Sequence, residues 1–308
     1  MNHSAMNHWP HRKAHRCRQT IQLLMVALLT LTLTAGCAVR LAYNNLDWLT
    51  IRWVNQQVNL DGQQERQLRV ALGETLEWHC ATQLPEYASL LRDMEAALNN
   101  NAIDAETLEA YGTIISAWGN DILERSRPSI VDLLASLDSD QIAFIRERFE
   151  EENTTLRERI GEPNQQALVE ERARSAARSV RRAMGSSNGL QRQRIMEWAQ
   201  VMQPIEAYQL AQSLIWQQRL LAVLEGDRQR PEFDQHINAL FEPGADWSDE
   251  FRALMESNRG LTLDMMVDVL DLADERQRER LNRRLQSFAR DFERLSCEMD
   301  QTPLAADL

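Results

Sequence analysis

The sequence predicts an all-α fold: an elongated multi-helix bundle, built as one body or as two helical lobes. Three observations carry this. Glycine and proline are scarce, 11 and 8 of 308 residues, and they fall between helix-length segments rather than at the short, even spacing of an all-β chain. Apolar residues return at helical spacing, as in Leu46, Leu49, Trp53 and Leu60. Two stretches, Leu60-Asp61-Gly62-Gln63-Gln64 and Leu137-Asp138-Ser139-Asp140-Gln141, set an Asp three residues before a Gln. That is the capping-box spacing, which satisfies two orphan backbone donors at a helix start.

Taken in order, the chain opens with Arg12, Lys13, Arg16 and Arg18 and no acid, followed from Ile21 by about a dozen mostly apolar residues ending in Ala35-Gly36. This is the pattern of a signal peptide. It is too short to persist as a bilayer-spanning helix, which needs roughly 20 residues. A helix apolar on more than one side follows over 41–60, with Trp48, Ile51 and Val58 lying off the first stripe. The Asp61 cap starts a helix to about Cys80, and Pro85 begins or kinks the next, to about Leu98. After Asn99-Asn100-Asn101, Asp104 caps a helix to about Arg125. Pro128 opens a short helix to about Leu137, and the Asp138 cap starts a longer one that Gly161-Glu162-Pro163 ends. A charged, Ala-rich helix runs to Met184, and Gly185-Ser186-Ser187-Asn188-Gly189 is a joint. Residues 190–224 read as a helix kinked at Pro204. Helices around Phe233 to Phe241, from about Ser248 to Leu272 and from Asp274 to about Met299 complete the chain. With two lobes, the boundary falls within 161–189.

The junction Thr34-Ala35-Gly36-Cys37 resembles the lipobox of bacterial lipoproteins, with Thr34 where that family prefers Leu. The resemblance implies type II cleavage before Cys37, whose sulfur would carry a diacylglycerol. Residues 1–36 are then a signal peptide and 37–308 a helical lipoprotein domain. Ala38 rather than Asp after the Cys implies, by the same resemblance, the inner leaflet of a Gram-negative outer membrane, with the domain facing the periplasm. Several acyl chains anchor far more firmly than one. Losing the leader, with its four basic residues, takes the net charge from −12 to −16, which argues against nucleic acid and anionic lipid surfaces as partners. Lys13 is the only lysine, so the mature chain has neither a Schiff-base lysine nor a P-loop. With Cys37 committed to lipid, Cys80 and Cys297 are the remaining thiols in an oxidising compartment. The expected outcome is a disulfide between the second helix and the last, worth up to roughly 5 kcal/mol.

Candidate chemistry is sparse. Gly185-Ser186-Ser187-Asn188-Gly189 matches G-x-S-x-G, with Asp227 or Asp234 and His236 following in hydrolase order, but a nucleophile elbow needs a preceding strand and none is predicted. Of the two mature histidines, His79 and His236, neither has a second ligand at helical spacing, so His79 reads as a structural group beside Trp78 and Cys80. Asp264, Asp268 and Asp271 form a row on one helix and read as a solvated or ion-paired face. Arg174, Arg178 and Arg182 form a basic row, either paired with the chain's own carboxylates or presented to an anionic partner. No cofactor or metal set is expected, and no catalytic residue is assigned.

Tyr43-Asn44-Asn45 with Asp47-Trp48, Leu60-Asp61 with Gln64, Trp78-His79, Leu84-Pro85 with Tyr87, and Asn258-Arg259 with Leu261-Thr262 together resemble a family of uncharacterised Gram-negative envelope lipoproteins, a domain of unknown function. The resemblance spans nearly the whole mature chain and implies an all-helical envelope protein without an established activity. The Leu-Asp-x-x-Gln repeats are also similar to the Leu-Thr-x-x-Gln signature of small periplasmic stress chaperones, with Asp in place of Thr. The expected function is therefore non-enzymatic: an anchored, periplasm-facing protein that binds another envelope protein, with a chaperone-like client binder as the alternative and a Ser187 hydrolase as a third.

Overall fold

The computed structural model describes residues 40–161, 165–228, 230–242, 244 and 247–299. The chain divides into two compact units, residues 1–45 and 46–308. In the first, the described residues form one helical turn over 40–43, closed by Asn45 Nδ2 donating to the Leu41 carbonyl (2.7 Å). In the second, the described residues form eleven α-helices and no strand: α1 Leu46–Val58, α2 Gly62–Trp78, α3 Leu84–Asn99, α4 Ala105–Ala135, α5 Ser139–Gly161, α6 Gln165–Met184, α7 Gly189–Val201, α8 Glu206–Glu225, α9 Glu232–Leu240, α10 Asp249–Asp271 and α11 Glu275–Met299. The all-α class is as the patterning predicts.

Both predicted capping boxes form. Asp61 Oδ1 accepts from the Gln64 amide (2.8 Å) while Gln64 Oε1 accepts from the Asp61 amide (2.9 Å), and Asp138 and Gln141 repeat the exchange (2.8 and 3.0 Å). The structure adds what the spacing alone does not show: the two boxes face each other. Gln64 Nε2 donates to Gln141 Oε1 (3.0 Å) and Gln141 Nε2 to Gln64 Oε1 (2.7 Å). The remaining amide protons go to Ser136 and to the Asn59 carbonyl. Asn59 ends α1 at φ 55°, and its carbonyl serves the clasp. Every donor and acceptor of both buried glutamines is thereby used.

A second clasp has the same plan. Asn188 and Gln191 form a capping box at the start of α7, and Asp274 and Gln277 form one at the start of α11. Gln277 Nε2 donates to Gln191 Oε1 (2.9 Å) and to the Ser186 carbonyl (3.0 Å), while Gln191 Nε2 donates to the Val269 carbonyl (2.9 Å). The sequence carries this as an internal repeat. Val131-Asp132-Leu133-Leu134 precedes Asp138 and Gln141 at the spacing with which Val267-Asp268-Val269-Leu270 precedes Asp274 and Gln277, and Asp61-Gly62 before Gln64 returns as Asn188-Gly189 before Gln191.

Two apolar cores form in this frame. One gathers Val131, Leu137, Ile145, Leu224, Phe233 and Ile237 from α4, α5, α8 and α9 and the turn before α5. The other gathers Ala173, Ala177, Ile195, Trp198, Met265 and Val269 from α6, α7 and α10. Helices α3 and α11 run antiparallel, tied by Glu95 to Gln286, Asn99 to Asn282 and Asn101 to Arg278.

Two prolines, Pro128 and Pro204, depart from their predicted roles. Pro128 lies inside α4, which continues from Ala105 to Ala135 instead of ending near Arg125. It forfeits one backbone bond, at about 3 kcal/mol, and burial of Val131 one turn on helps offset the loss. Pro85 lies in the first turn of α3, as expected, although no break separates that helix from α2. A π turn, His79–Gln83, joins α2 to α3, with the Leu84 amide reaching back five residues to the His79 carbonyl. Pro204 breaks rather than kinks: α7 ends at Val201 and α8 begins at Glu206. Asn258 holds the break, accepting from the Gln203 amide (3.1 Å) and donating to its carbonyl (2.9 Å).

Because each clasp glutamine leaves its partner orphaned when removed, Gln64→Leu is expected to destabilise the fold by about 2 kcal/mol. Adding Gln141→Leu should cost clearly less than the sum of the two single changes. A urea-denaturation double-mutant cycle measures this, and strict additivity would show that the two boxes are independent caps.

Candidate functional site: an apolar chamber

The residues singled out from sequence do not converge. Cys37 lies outside the described residues. Cys80, in the π turn, is buried, its Sγ donating to the carbonyls of Leu295 (3.1 Å) and Ser296 (3.6 Å). The side chain of Cys297 lies outside the described residues, and with it the expected disulfide. His79 Nε2 sits 3.1 Å from the Tyr87 hydroxyl, the rings meeting edge to face. Burial pushes its pKa below 6.5. Ser187 follows helix α6 in a helical hairpin rather than a strand, and its carbonyl accepts from Arg192. His236 belongs to α9, which packs on α8 and α4. In the acidic row, Asp268 pairs with Arg194 (2.5 Å).

The basic row divides. Arg174 and Arg178 both close on Glu171 (3.1 and 3.0 Å), and their hydrogen bonds hold that carboxyl below its usual range. Arg182 instead donates to Ser179 Oγ (3.2 Å), and among the described residues it has no carboxylate within 4 Å.

What the sequence reading missed is a cavity of about 500 Å³ walled by α3, α4, α6, α7, α10 and α11. Its wall includes four methionines, Met94, Met184, Met265 and Met266, with Leu98, Leu108, Val180, Leu281 and Leu285 between them. Helix α6 presents the short side chains Ala176 and Ala183 to the space, while Ala173 and Ala177 of the same helix pack against Ile195, Trp198, Met265 and Val269. The signal was present as the Ala-rich composition of 165–184, which alone reads as mere helix propensity.

The few polar groups on the wall are mostly committed elsewhere. Thr262 donates to the Asn258 carbonyl (2.8 Å) and accepts from Trp198 Nε1 (3.3 Å). Tyr111 has its pKa raised, first by burial and then by the charge of Asp93. Water gains little in such a space, since it needs two to four polar partners. Met266, on the wall, is 42% exposed, so the space opens to solvent and its apolar lining faces water. The second clasp adjoins the chamber: Gln191 Nε2 donates to the Val269 carbonyl and lies 3.8 Å from Met184 Sδ, both residues of the wall.

Among the described residues, then, paired capping boxes hold a helical unit that carries an apolar chamber. The chain belongs to a family of unknown function, DUF6279, whose match covers residues 56–252, from the end of α1 to the first turn of α10. No curated protein and no solved structure matches the chain.

Since burial favours the neutral ring of His79, the unfolded chain takes up more protons below the ordinary value of 6.5. Stability from this group is therefore complete above that pH and is lost as pH falls through the lower folded value. Thermal midpoints measured from about pH 7.5 to about pH 5 should fall less steeply in His79→Gln than in the parent. An identical slope would remove His79 from the acid response.

Proposed function

We propose that this chain is a membrane-anchored, periplasm-facing binding protein that works by holding an apolar ligand in the chamber rather than by catalysis. The chamber carries the reading, because an almost wholly apolar recess of this size leaves its lining facing water unless a ligand covers it. Ligand sites of small-molecule binders fall in the range of about 300 to 1,000 Å³ with mainly apolar linings. The anchor is supported by the basic leader, the apolar run and Thr34-Ala35-Gly36-Cys37. The Cys80–Cys297 bridge is supported by proximity, since Cys80 lies against Leu295 and Ser296, next to Cys297 in the chain, and bridging would replace its present S–H contacts with their carbonyls.

A second reading, docking of another envelope protein, is favoured by α1, where Trp48 and Trp53 remain 51% and 62% exposed. Large exposed aromatics on one short helix are typical of contact surfaces.

The chamber is tested with the intact chain in phosphatidylcholine nanodiscs, photolabelled with a hexadecanol that carries a mid-chain diazirine. Labelled peptides are expected from α6, α10 and α11, whereas label spread evenly over exposed helices would overturn the reading. The anchor predicts that Cys37→Ser moves the chain out of the membrane fraction, and continued membrane retention would count against it. For the bridge, a thiol reagent applied to the denatured, unreduced chain should leave Cys80 and Cys297 unlabelled.

A further inference from the structure

We infer that the chamber takes a single-chain anionic amphiphile, its acyl chain within the apolar walls and its acid headgroup at Arg182. This rests on the chamber being the binding site and adds the chemical class of the ligand. Volume sets the chain number. At roughly 30 Å³ for a methylene-sized group, about the share of liquid volume a water takes, a cavity of about 500 Å³ holds on the order of sixteen carbons. That is one long acyl chain, not two. A peptide segment fits poorly, because its backbone N–H and C=O groups would find almost no partners on these walls.

Two of the wall residues, Met266 and Ser179, are exposed to solvent, so the chamber opens at both, and Ser179 marks the headgroup end because it is the polar one of the two. Arg182 places a guanidinium 3.2 Å from that hydroxyl. Its two row-mates are neutralised by Glu171, while Arg182 has no carboxylate within 4 Å among the described residues. A helix C-terminus ordinarily repels anions. Here Arg284 donates to the carbonyl of Arg182, and Arg280 lies against Gly185, the left-handed residue (φ 81°) that follows α6. With Arg181 and Arg182 in the last turn, four guanidinium groups surround this end of the helix. A guanidinium binds carboxylate or phosphate oxygens through paired N–H groups, so fatty acids and single-chain lysophospholipids share the recognised chemistry.

The test uses the intact chain in phosphatidylcholine nanodiscs with three photoprobes bearing the same mid-chain diazirine: palmitic acid, a palmitoyl lysophosphatidic acid, and hexadecanol. The acid probes should label the peptides holding Met94, Met184 and Met265, and excess unlabelled palmitate should compete saturably. Ala176→Trp, which fills the chamber, should abolish labelling by all three. Ala183→Phe serves the same purpose should the first variant lose its helical circular dichroism. Arg182→Ala should reduce acid labelling about tenfold and leave hexadecanol unchanged, with Arg182→Lys restoring much of the loss. Whichever acid labels more strongly identifies the source of the anion. If hexadecanol labels the chamber and neither acid does so in an Arg182-dependent manner, the chamber stands as a site and the anionic ligand is wrong. If no probe labels the chamber walls, both are wrong.

Discussion

The fold depends on amide groups of glutamine buried at helix starts. A buried primary amide is costly unless both protons and both lone pairs are used, and each clasp meets that requirement by borrowing from a partner far away in sequence. Gln64 and Gln141 complete one another, so α2 and α5 must begin at the same place in space. Gln191 and Gln277 impose the same condition on α7 and α11. Apolar packing is tolerant of small sliding. These amide pairs are not, because a shift of one residue would separate donor from acceptor. The clasps thus supply register to helices whose cores of Leu, Ile, Ala and Met would otherwise accept several.

The chamber lies next to the second clasp, with α7, whose start the clasp pins, contributing Trp198 to the wall and α11 contributing Leu281 and Leu285, opposite Ala176 and Ala183 of α6. Methionine is suited to such a boundary, since an unbranched thioether adapts to a void or to an occupant with little cost. The charged end of α6 lies beside this apolar space, so an apolar interior and an unneutralised guanidinium share one opening.

Much of the architecture was legible in the sequence. Asp61, Asp104 and Asp138 mark helix starts because a short carboxylate competes well for orphan amides, and the last two helices fall within a residue or so of where the spacing put them. The errors sit at prolines, whose local cost is readable but whose outcome depends on tertiary contacts. Pro128 is carried by a long packed helix, and Pro204 becomes a break because Asn258, far along the chain, satisfies the freed backbone, whereas Pro85 opens α3 as its position suggests. The second pair of boxes was overlooked because Asn188 stood inside an apparent G-x-S-x-G match and Ala273, not Leu, precedes Asp274. The chamber was illegible for a different reason: a cavity is a relation among six helices, and no single segment contains it.

The π turn at His79–Gln83 carries a mechanical consequence. A π register widens the helical bore and replaces the usual four-residue bonds with longer-reaching ones, so amide exchange with solvent should be faster there than in the flanking turns of α2 and α3. The same five residues hold Cys80 against the far end of α11 and His79 against Tyr87. The least tightly wound part of the rod formed by α2 and α3 is therefore also the part gripped by the chain's last helix, and whatever loosens that grip would be felt first as a swivel between α2 and α3.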